Sequence, residues 1–247
     1  MKYIVALLCA TAFFFTVMIS PAGGQSLVVQ NKNPSNIPII IREPARYKTV
    51  VVLPIFTQAA YSPHGFYWFY SKKCDAMCLT VPIPRNFTAS YVTGGGLDDI
   101  LLDQGFSTVT DLQVDKNPSL LEKFDKVILL HNEYVTRTEF DAIVRHPHVI
   151  YMYPNALYAE VKVNYDKNTI TLVRGHGYPE KSIRNGFGWA YDNSKYEYNT
   201  SCENWQFDKI KNGYQLDCYP QLAILDNPLM IDKMIYFYSK VVLNIIS

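Results

Sequence analysis

The sequence lacks a surplus of either charge. Its 247 residues include 23 Lys and Arg against 22 Asp and Glu, which leaves a net charge of +1. A general nucleic-acid binder needs a basic surplus to release counterions from phosphates, so we expect no nucleic-acid partner. Internal repeats and low-complexity tracts are also absent. The length is sufficient for one large domain with a substantial core.

Cysteine is scarce, and its spacing excludes common metal motifs. Apart from Cys9 near the N-terminus, the chain contains Cys74, Cys78, Cys202 and Cys218. These gaps do not form the paired C-x-x-C pattern of a zinc site, which stays the alternative. An even number of cysteines in an exported chain indicates disulfides. Of the three possible connectivities we favour the local one, Cys74–Cys78 and Cys202–Cys218.

The first residues have the pattern of an export signal. A single Lys precedes an apolar run, and small residues follow before Gln25 in "MISPAGGQ". We therefore predict a signal peptide over residues 1–24, with an uncleaved N-terminal anchor as the alternative. Such an anchor would associate the protein with the membrane or cell envelope. The sequons at Asn86 and Asn199 are glycosylation sites if the host modifies exported proteins. The predicted location is extracytoplasmic.

Residues 25–47 are predicted to be a spacer and domain entry, and residues 48–247 a single domain. Strand-like runs at "TVVVLPIFT", "STVTDLQV", "KVILLH" and "HVIYMY" alternate with helix-like runs such as Leu97 to Gln104, "NPSLLEKF" and "TRTEFDAIVRH". A Thr136–Glu139 capping box is expected to begin the last of these helices. This alternation predicts an α/β fold with a parallel sheet covered by helices.

The C-terminal part predicts additions to that fold. "AEVKVNYDKNTITLVRG" alternates about a turn and predicts a β-hairpin, and "WQFDKIKNGYQLDCYP" predicts a second. Asn212 and Gly213 fit the centre of a type I′ turn in the second hairpin. "DNPLMIDKMIYFYSKVVLNII" predicts a terminal packing helix, since its charged residues argue against a membrane span.

Polar and aromatic residues follow three of the predicted core strands. In an open parallel sheet, ligands bind in the crevice beyond the carboxyl ends of the strands. "PIFTQAAY", "HNEY" and "YPNALY" are therefore expected to meet at one edge of the sheet. The residues predicted to line this crevice are Thr57, Tyr61, His131, Glu133, Tyr134, Asn155 and Tyr158, with His176 of "RGHGYPE" as a further candidate.

"FDKVILLHNEYVTRTEFDAI", followed by "HVIYMYPNALYAEV", resembles the C-terminal domain of the N,N-dimethylformamidase large subunit. That family has a His-Pro-Glu-Tyr motif after a strand, and "VVVLPIFTQAAY" is similar to its first strand and loop. Small exported proteins of ammonia-oxidising archaea are similar too, through "HNEYVT", "YPNALYAEV" and "NGFGW". The resemblance covers roughly residues 48 to 218. It implies a flavodoxin-like α/β sandwich of the class I glutamine-amidotransferase-like group.

The resemblance also implies an iron site, because the formamidase family holds iron through tyrosine and glutamate side chains. Tyr134 is the first candidate ligand and Tyr61 the second, while the glutamate could be Glu133, Glu197 or Glu203. These hard oxygen donors suit ferric iron. The sequence departs from the family at Asn132, where the motif has proline, and at Pro154, where it has a glycine pair. The family's large N-terminal part is absent from this sequence.

Two functions follow as hypotheses. The first is a non-catalytic binding or envelope-associated module that keeps an enzyme-derived fold. The second is an iron-dependent amidohydrolase acting on a small amide, with His131 and Glu133 as catalytic residues. A purely structural role for His131 and Glu133, in hydrogen bonds to neighbouring loops, is the other interpretation. No mature cysteine follows a core strand, so the Cys–His chemistry of the amidotransferases is not expected.

Overall fold

The structure is a computed structural model, and it describes residues 48–90, 92–98, 101, 106–202 and 206–220. The predicted leader, spacer and terminal helix lie outside these residues. The described strands are β1 (Thr49–Leu53), β2 (Thr80–Pro82), β3 (Ser107–Thr110), β4 (Lys126–Leu129), β5 (Tyr134–Thr136), β6 (Val149–Tyr151), β7 (Ala159–Asn164), β8 (Thr169–Arg174), β9 (Phe207–Ile210) and β10 (Gly213–Leu216). The α-helices are α1 (Ile55–Ala60), α2 (Phe66–Tyr70), α3 (Asp111–Lys116) and α4 (Arg137–Arg145). Short 3₁₀ segments occupy Ala76–Leu79, Pro118–Lys123 and Ser194–Tyr196.

The main sheet confirms the predicted α/β class. Its strands lie in the order β3-β1-β4-β6-β10-β9, and every neighbouring pair is parallel except β10 and β9. The first five strands therefore follow the 2-1-3-4-5 order of flavodoxin-like sheets. The chain reverses its direction of winding between β1 and β4. This is the position at which a doubly wound sheet opens a crevice.

The main sheet is buried on both faces, which explains why its strands are continuously apolar. Val50 and Val52 pack on one face, while Val51 and Leu53 pack on the other. Side chains alternate between the faces of a strand, so two hydrophobic cores need an apolar residue at every position. Fully burying one such side chain contributes about 1.5–3 kcal/mol.

Two strands end earlier than predicted, and local sequence signals explain why. β1 ends before Pro54, because proline has no N–H for the strand ladder and is suited to the start of α1. The run "STVTDLQV" divides into β3 and α3, where Thr110 and Gln113 form a capping box. The expected Thr136–Glu139 capping box forms only in part. Thr136 Oγ1 accepts the Glu139 N–H at 3.1 Å, but the Glu139 carboxylate does not bond back to the Thr136 N–H.

The second predicted hairpin forms, although it is part of the main sheet rather than an addition to it. β10 pairs in parallel with β6 and becomes the fifth strand of the sheet. Ile210 pairs with Gly213, so Lys211 and Asn212 are the central residues of the turn, and neither has a positive φ. Gly213 serves a different purpose, because a Cβ there would lie 1.7 Å from the Val149 carbonyl oxygen. The expected type I′ turn at Asn212 and Gly213 is therefore wrong.

A smaller sheet carries the remaining strands in the order β2-β8-β7-β5. β7 and β8 form the first predicted hairpin, and β5 joins β7 in parallel. β5 was not predicted, since its three residues follow β4 so closely that they read as part of a turn. A third hydrophobic core fills the space between this sheet and the helices α1 and α2. The main sheet and the smaller sheet meet at the segment from Leu130 to Tyr134.

Both predicted disulfides are present, Cys74–Cys78 and Cys202–Cys218. Two disulfides indicate an oxidising, extracytoplasmic environment. Asn86 and Asn199 are both exposed, so their modification stays a prediction. Within the described residues, no helix is long and apolar enough to cross a membrane.

Candidate functional site

The three predicted loops meet at the carboxyl edge of the main sheet. Tyr61 follows α1, His131 follows β4 and Asn155 follows β6. The rings of Tyr61 and His131 have centroids 5.7 Å apart, and Asn155 Nδ2 lies 3.0 Å from His131 Nε2. The parallel sheet thus brings together residues that are far apart in the chain.

Glu133 is the centre of this site. Its side chain is 1 % exposed, yet four side chains approach its two carboxylate oxygens. Oε2 accepts the Tyr61 hydroxyl at 2.9 Å and lies 3.3 Å from His131 Nε2. Oε1 lies 2.5 Å from His176 Nε2 and 3.4 Å from the Tyr67 hydroxyl. Such a dense set of donors stabilises the ionised carboxylate without bulk water.

Glu133 stays ionised although it is buried. Desolvation acts to raise the pKa of the carboxyl, but His176 and His131 outweigh it through charge and hydrogen bonds. The net effect lowers the pKa of Glu133 to about 2. A carboxylate with such a low pKa is a poor proton acceptor near neutral pH. Its chemistry suits a ligand or an orienting group better than a general base.

The tyrosines beside Glu133 form a layer of neutral phenols, which we call the tyrosine layer: Tyr61, Tyr67, Tyr70 and Tyr134. The Tyr67 hydroxyl donates to Tyr61 at 2.6 Å, and the Tyr134 hydroxyl lies 3.5 Å from that of Tyr70. Burial raises the pKa of all four phenols, and the charge of Glu133 raises them further. Each hydroxyl therefore keeps its proton in the absence of a metal.

His131 is held rigidly behind the carboxylate. Its Nδ1 donates to the Val92 carbonyl oxygen at 2.8 Å, and its ring stacks on Tyr153 with centroids 4.9 Å apart. Its Nε2 faces Asn155, Glu133 and the Tyr219 hydroxyl, the last at 3.4 Å. The imidazole is fully buried, so it supports the site from below.

His176 approaches Glu133 from the opposite side, on the loop after β8. Its φ of 53° is positive, and Gly175 and Gly177 on either side also have positive φ. A Cβ at Gly175 would lie 2.8 Å from the Ala159 Cβ, so glycine permits the close approach of this loop. The ring packs against Tyr134 and Tyr158. Its side chain is 20 % exposed, which makes His176 accessible from the cleft.

Thr57 fixes the backbone of the site. Its Oγ1 accepts the N–H groups of Glu133 at 3.1 Å and Tyr134 at 3.3 Å. Thr57 itself is fully buried, so it lies beneath the crevice that it was predicted to line. The hydroxyl joins α1 to the segment between β4 and β5. It thereby holds Tyr61, which directly follows α1, close to Glu133.

A cleft of about 1060 Å³ opens above these residues. Glu133, Asn155 and His176 lie in its wall together with the aromatic residues Tyr61, Tyr67, Phe69, Tyr70, Tyr198 and Tyr219. Three exposed lysines, Lys72, Lys73 and Lys181, line the cleft with Asp75 and Glu197. The cleft can hold a small molecule.

The structure shows which of the candidate metal ligands lie near Glu133. The Tyr134 hydroxyl faces Tyr70 rather than the carboxylate, whereas Tyr61 contacts Glu133 directly. Glu197 lines the cleft, and Glu203 lies outside the described residues. Tyr67 was missed by the sequence analysis, although it belongs to the aromatic run "HGFYWFYSK". No motif marks it, since α2 brings it to Glu133 only through the fold.

The donor set fits a metal that prefers oxygen ligands. The hydroxyls of Tyr61 and Tyr67 and the carboxylate of Glu133 lie 2.6 to 3.4 Å from one another. Oxygens bound at right angles, each ~2.0–2.1 Å from one ion, lie roughly 2.9 Å apart. No cluster of three or more His, Cys, Asp and Glu suited to a metal occurs in the described ranges. Among the described residues, phenolic oxygens would complete such a site.

No protein-family model and no curated protein matches the chain. The resemblance to the dimethylformamidase domain therefore stays a prediction.

Proposed function

We propose that the protein acts outside the cytoplasm as a binding module, and that it holds a ferric ion in the cleft through Tyr61, Tyr67 and Glu133. The supporting observation is the cluster of four oxygens, two phenolic and two of the Glu133 carboxylate, at one point in the cleft wall. Phenolate and carboxylate are hard donors suited to this ion. The predicted leader would deliver the chain to that compartment, either secreted or anchored to the envelope.

The protonation of this oxygen cluster agrees with the proposal. Tyr61 donates to Glu133 and Tyr67 donates to Tyr61, so their hydrogens occupy the space between the oxygens. A bound cation would replace these protons, since metal ligands bind in their deprotonated form. Glu133, with its lowered pKa, needs no deprotonation near neutral pH. The cleft would leave a bound metal accessible to a small ligand.

Iron binding by the purified protein tests the proposal. We expect one iron per chain after incubation with ferric citrate, together with a tyrosinate-to-iron absorption band in the visible. Both should be lost in Tyr61→Phe and Glu133→Gln, and weakened in Tyr67→Phe. Tyr70→Phe is the matched control, because Tyr70 belongs to the tyrosine layer without a hydrogen bond to Glu133. Wild-type protein that binds no iron, or a band that survives in Tyr61→Phe, would contradict the proposal.

Amide hydrolysis is the second candidate, and the position of His176 favours it. Glu133 orients the imidazole through Nε2, while the ring stays partly exposed to the cleft. Carboxylates orient catalytic histidines in the same way. When bound, a ferric ion would supply Lewis acidity toward a substrate carbonyl. His176 would hold or release a proton beside that group.

Turnover distinguishes the two candidates. Iron-loaded wild-type protein is incubated with N,N-dimethylformamide, and released dimethylamine is measured. A hydrolase should release the amine, and His176→Gln should lose turnover while it keeps the visible band. Iron-loaded protein that binds metal but releases no amine would exclude hydrolysis of this amide and leave the binding module.

A further inference from the structure

A second buried acidic feature lies outside the cleft. Asp111 begins α3 and Glu139 lies on α4, and the two helices pack against each other. Both residues are fully buried. None of the ion pairs in the described part of the chain involves either one. Two buried carboxyls without a cation are costly unless they are hydrogen-bonded or neutralised by a proton.

Asp111 joins the two segments that carry the site. Its Oδ2 accepts the Phe56 N–H at 2.9 Å, and its Oδ1 accepts Asn132 Nδ2 at 2.6 Å. Phe56 immediately precedes Thr57, and Asn132 immediately precedes Glu133. Asp111 thus connects α1 with the segment between β4 and β5 from below. Together with Thr57, it fixes the distance between the tyrosine layer and the carboxylate of Glu133.

Glu139 lies on α4, the helix that packs against the helix of Asp111. Its side-chain oxygens accept no hydrogen bond from a donor among the described residues. Asp111 has two donors on its oxygens, so it is the better place for the charge, and Glu139 is the better place for the proton. Burial raises the pKa of both carboxyls, and their mutual repulsion raises that of Glu139 further. Asp115 also acts on the pair, while its own oxygens accept from Thr136 and Tyr165.

We propose that Asp111 and Glu139 share one proton and act as a positioning pair that holds Glu133 in place beneath the cleft. The proton holds the two carboxyls together, and Asp111 in turn holds Phe56 and Asn132 in place through its two hydrogen bonds. Loss of the proton at alkaline pH places two charges side by side and loosens both links. This inference rests on the proposed function only in treating Glu133 as the centre of the site.

Amide hydrogen exchange of the intact protein, followed by NMR between pH 6 and 9, tests the pair without reference to metal binding. The reporting amides are those of Phe56, Glu133 and Tyr134, corrected for intrinsic exchange rates. Amides in β4 serve as the reference for global stability. The variants are Asp111→Asn and Glu139→Gln. Asp115→Asn is the matched control, since Asp115 lies on the same helix but bonds to neither segment.

In the wild type, protection of the three amides should fall as the pH rises, while protection in β4 stays constant. In Glu139→Gln it should stay high, because the amide keeps a hydrogen for Asp111 at every pH. Asp111→Asn should lose protection roughly tenfold at all pH values, since an asparagine can accept only one of the two buried donors. Unchanged pH dependence in Glu139→Gln would overturn the proposal, even if Asp111→Asn fails to fold. Equal losses in Asp111→Asn and Asp115→Asn would also overturn it.

Discussion

Replacement of Thr57 by valine tests the principal link within the site. Valine has nearly the same shape as threonine but carries a methyl group in place of the hydroxyl, so it removes the acceptor with little change in volume. Thr57 Oγ1 accepts two backbone N–H groups, from Glu133 and Tyr134. Glu133 and Tyr134 are both fully buried, so we expect no solvent partner to replace the lost hydroxyl in the variant.

The magnitude follows from the number of groups left without a partner. A buried donor that loses its acceptor costs ~1–3 kcal/mol. Two such donors predict that Thr57→Val lowers the free energy of unfolding by about 2–6 kcal/mol. Thr57→Ser keeps the oxygen and loses only a methyl group, for which we expect about 1 kcal/mol. The difference between the two variants isolates the hydroxyl.

Urea unfolding at neutral pH, followed by circular dichroism, measures both variants. We expect Thr57→Val to be clearly less stable than Thr57→Ser, and to bind iron more weakly because Glu133 is no longer fixed. Equal stability of the two variants would show that the hydroxyl does not hold the segment. The account of how Glu133 is positioned would then be wrong.

Two further predictions concern the disulfides and the charge of Glu133. The Cys202–Cys218 bridge closes a loop of 16 residues and Cys74–Cys78 one of 4, which predicts losses of about 3 and about 2 kcal/mol when each pair is replaced by alanine. The pKa of Glu133 falls from 4.5 to about 2 on folding, so its stabilisation of about 3 kcal/mol is present above pH 4.5. That stabilisation should be lost as the pH falls toward 2, and Glu133→Gln should lack this pH dependence.

Controls make both predictions specific. Dithiothreitol should reproduce the loss seen in the double-alanine variants, and an unchanged melting temperature on reduction would contradict the disulfide prediction. For Glu133 the matched control is Glu160→Gln. Glu160 pairs with Arg137 at 2.8 Å, where the Arg137 side chain is 47 % exposed, and such surface pairs contribute little. Equal effects of the two substitutions on acid stability would refute the role assigned to Glu133.

The sequence determined those features that depend on neighbouring residues or on the general rules of parallel sheets. Alternation of apolar runs with helical segments predicted the α/β class, and the sheet rule predicted that Tyr61, His131 and Asn155 would meet. Local spacing also predicted both disulfides. These features are readable because strand burial, helix caps and short loops leave a pattern within a few residues.

The tertiary structure alone decided which side chains contact Glu133. Tyr67 and His176 reach the carboxylate from α2 and from the loop after β8, and no motif links these segments to "HNEY". β10 entered the main sheet because Gly213 permits close contact with β6, and Asp111 lies beneath the site through the packing of α3 and α4. Such contacts depend on how whole elements pack against one another, and that packing leaves no signal in the order of nearby residues.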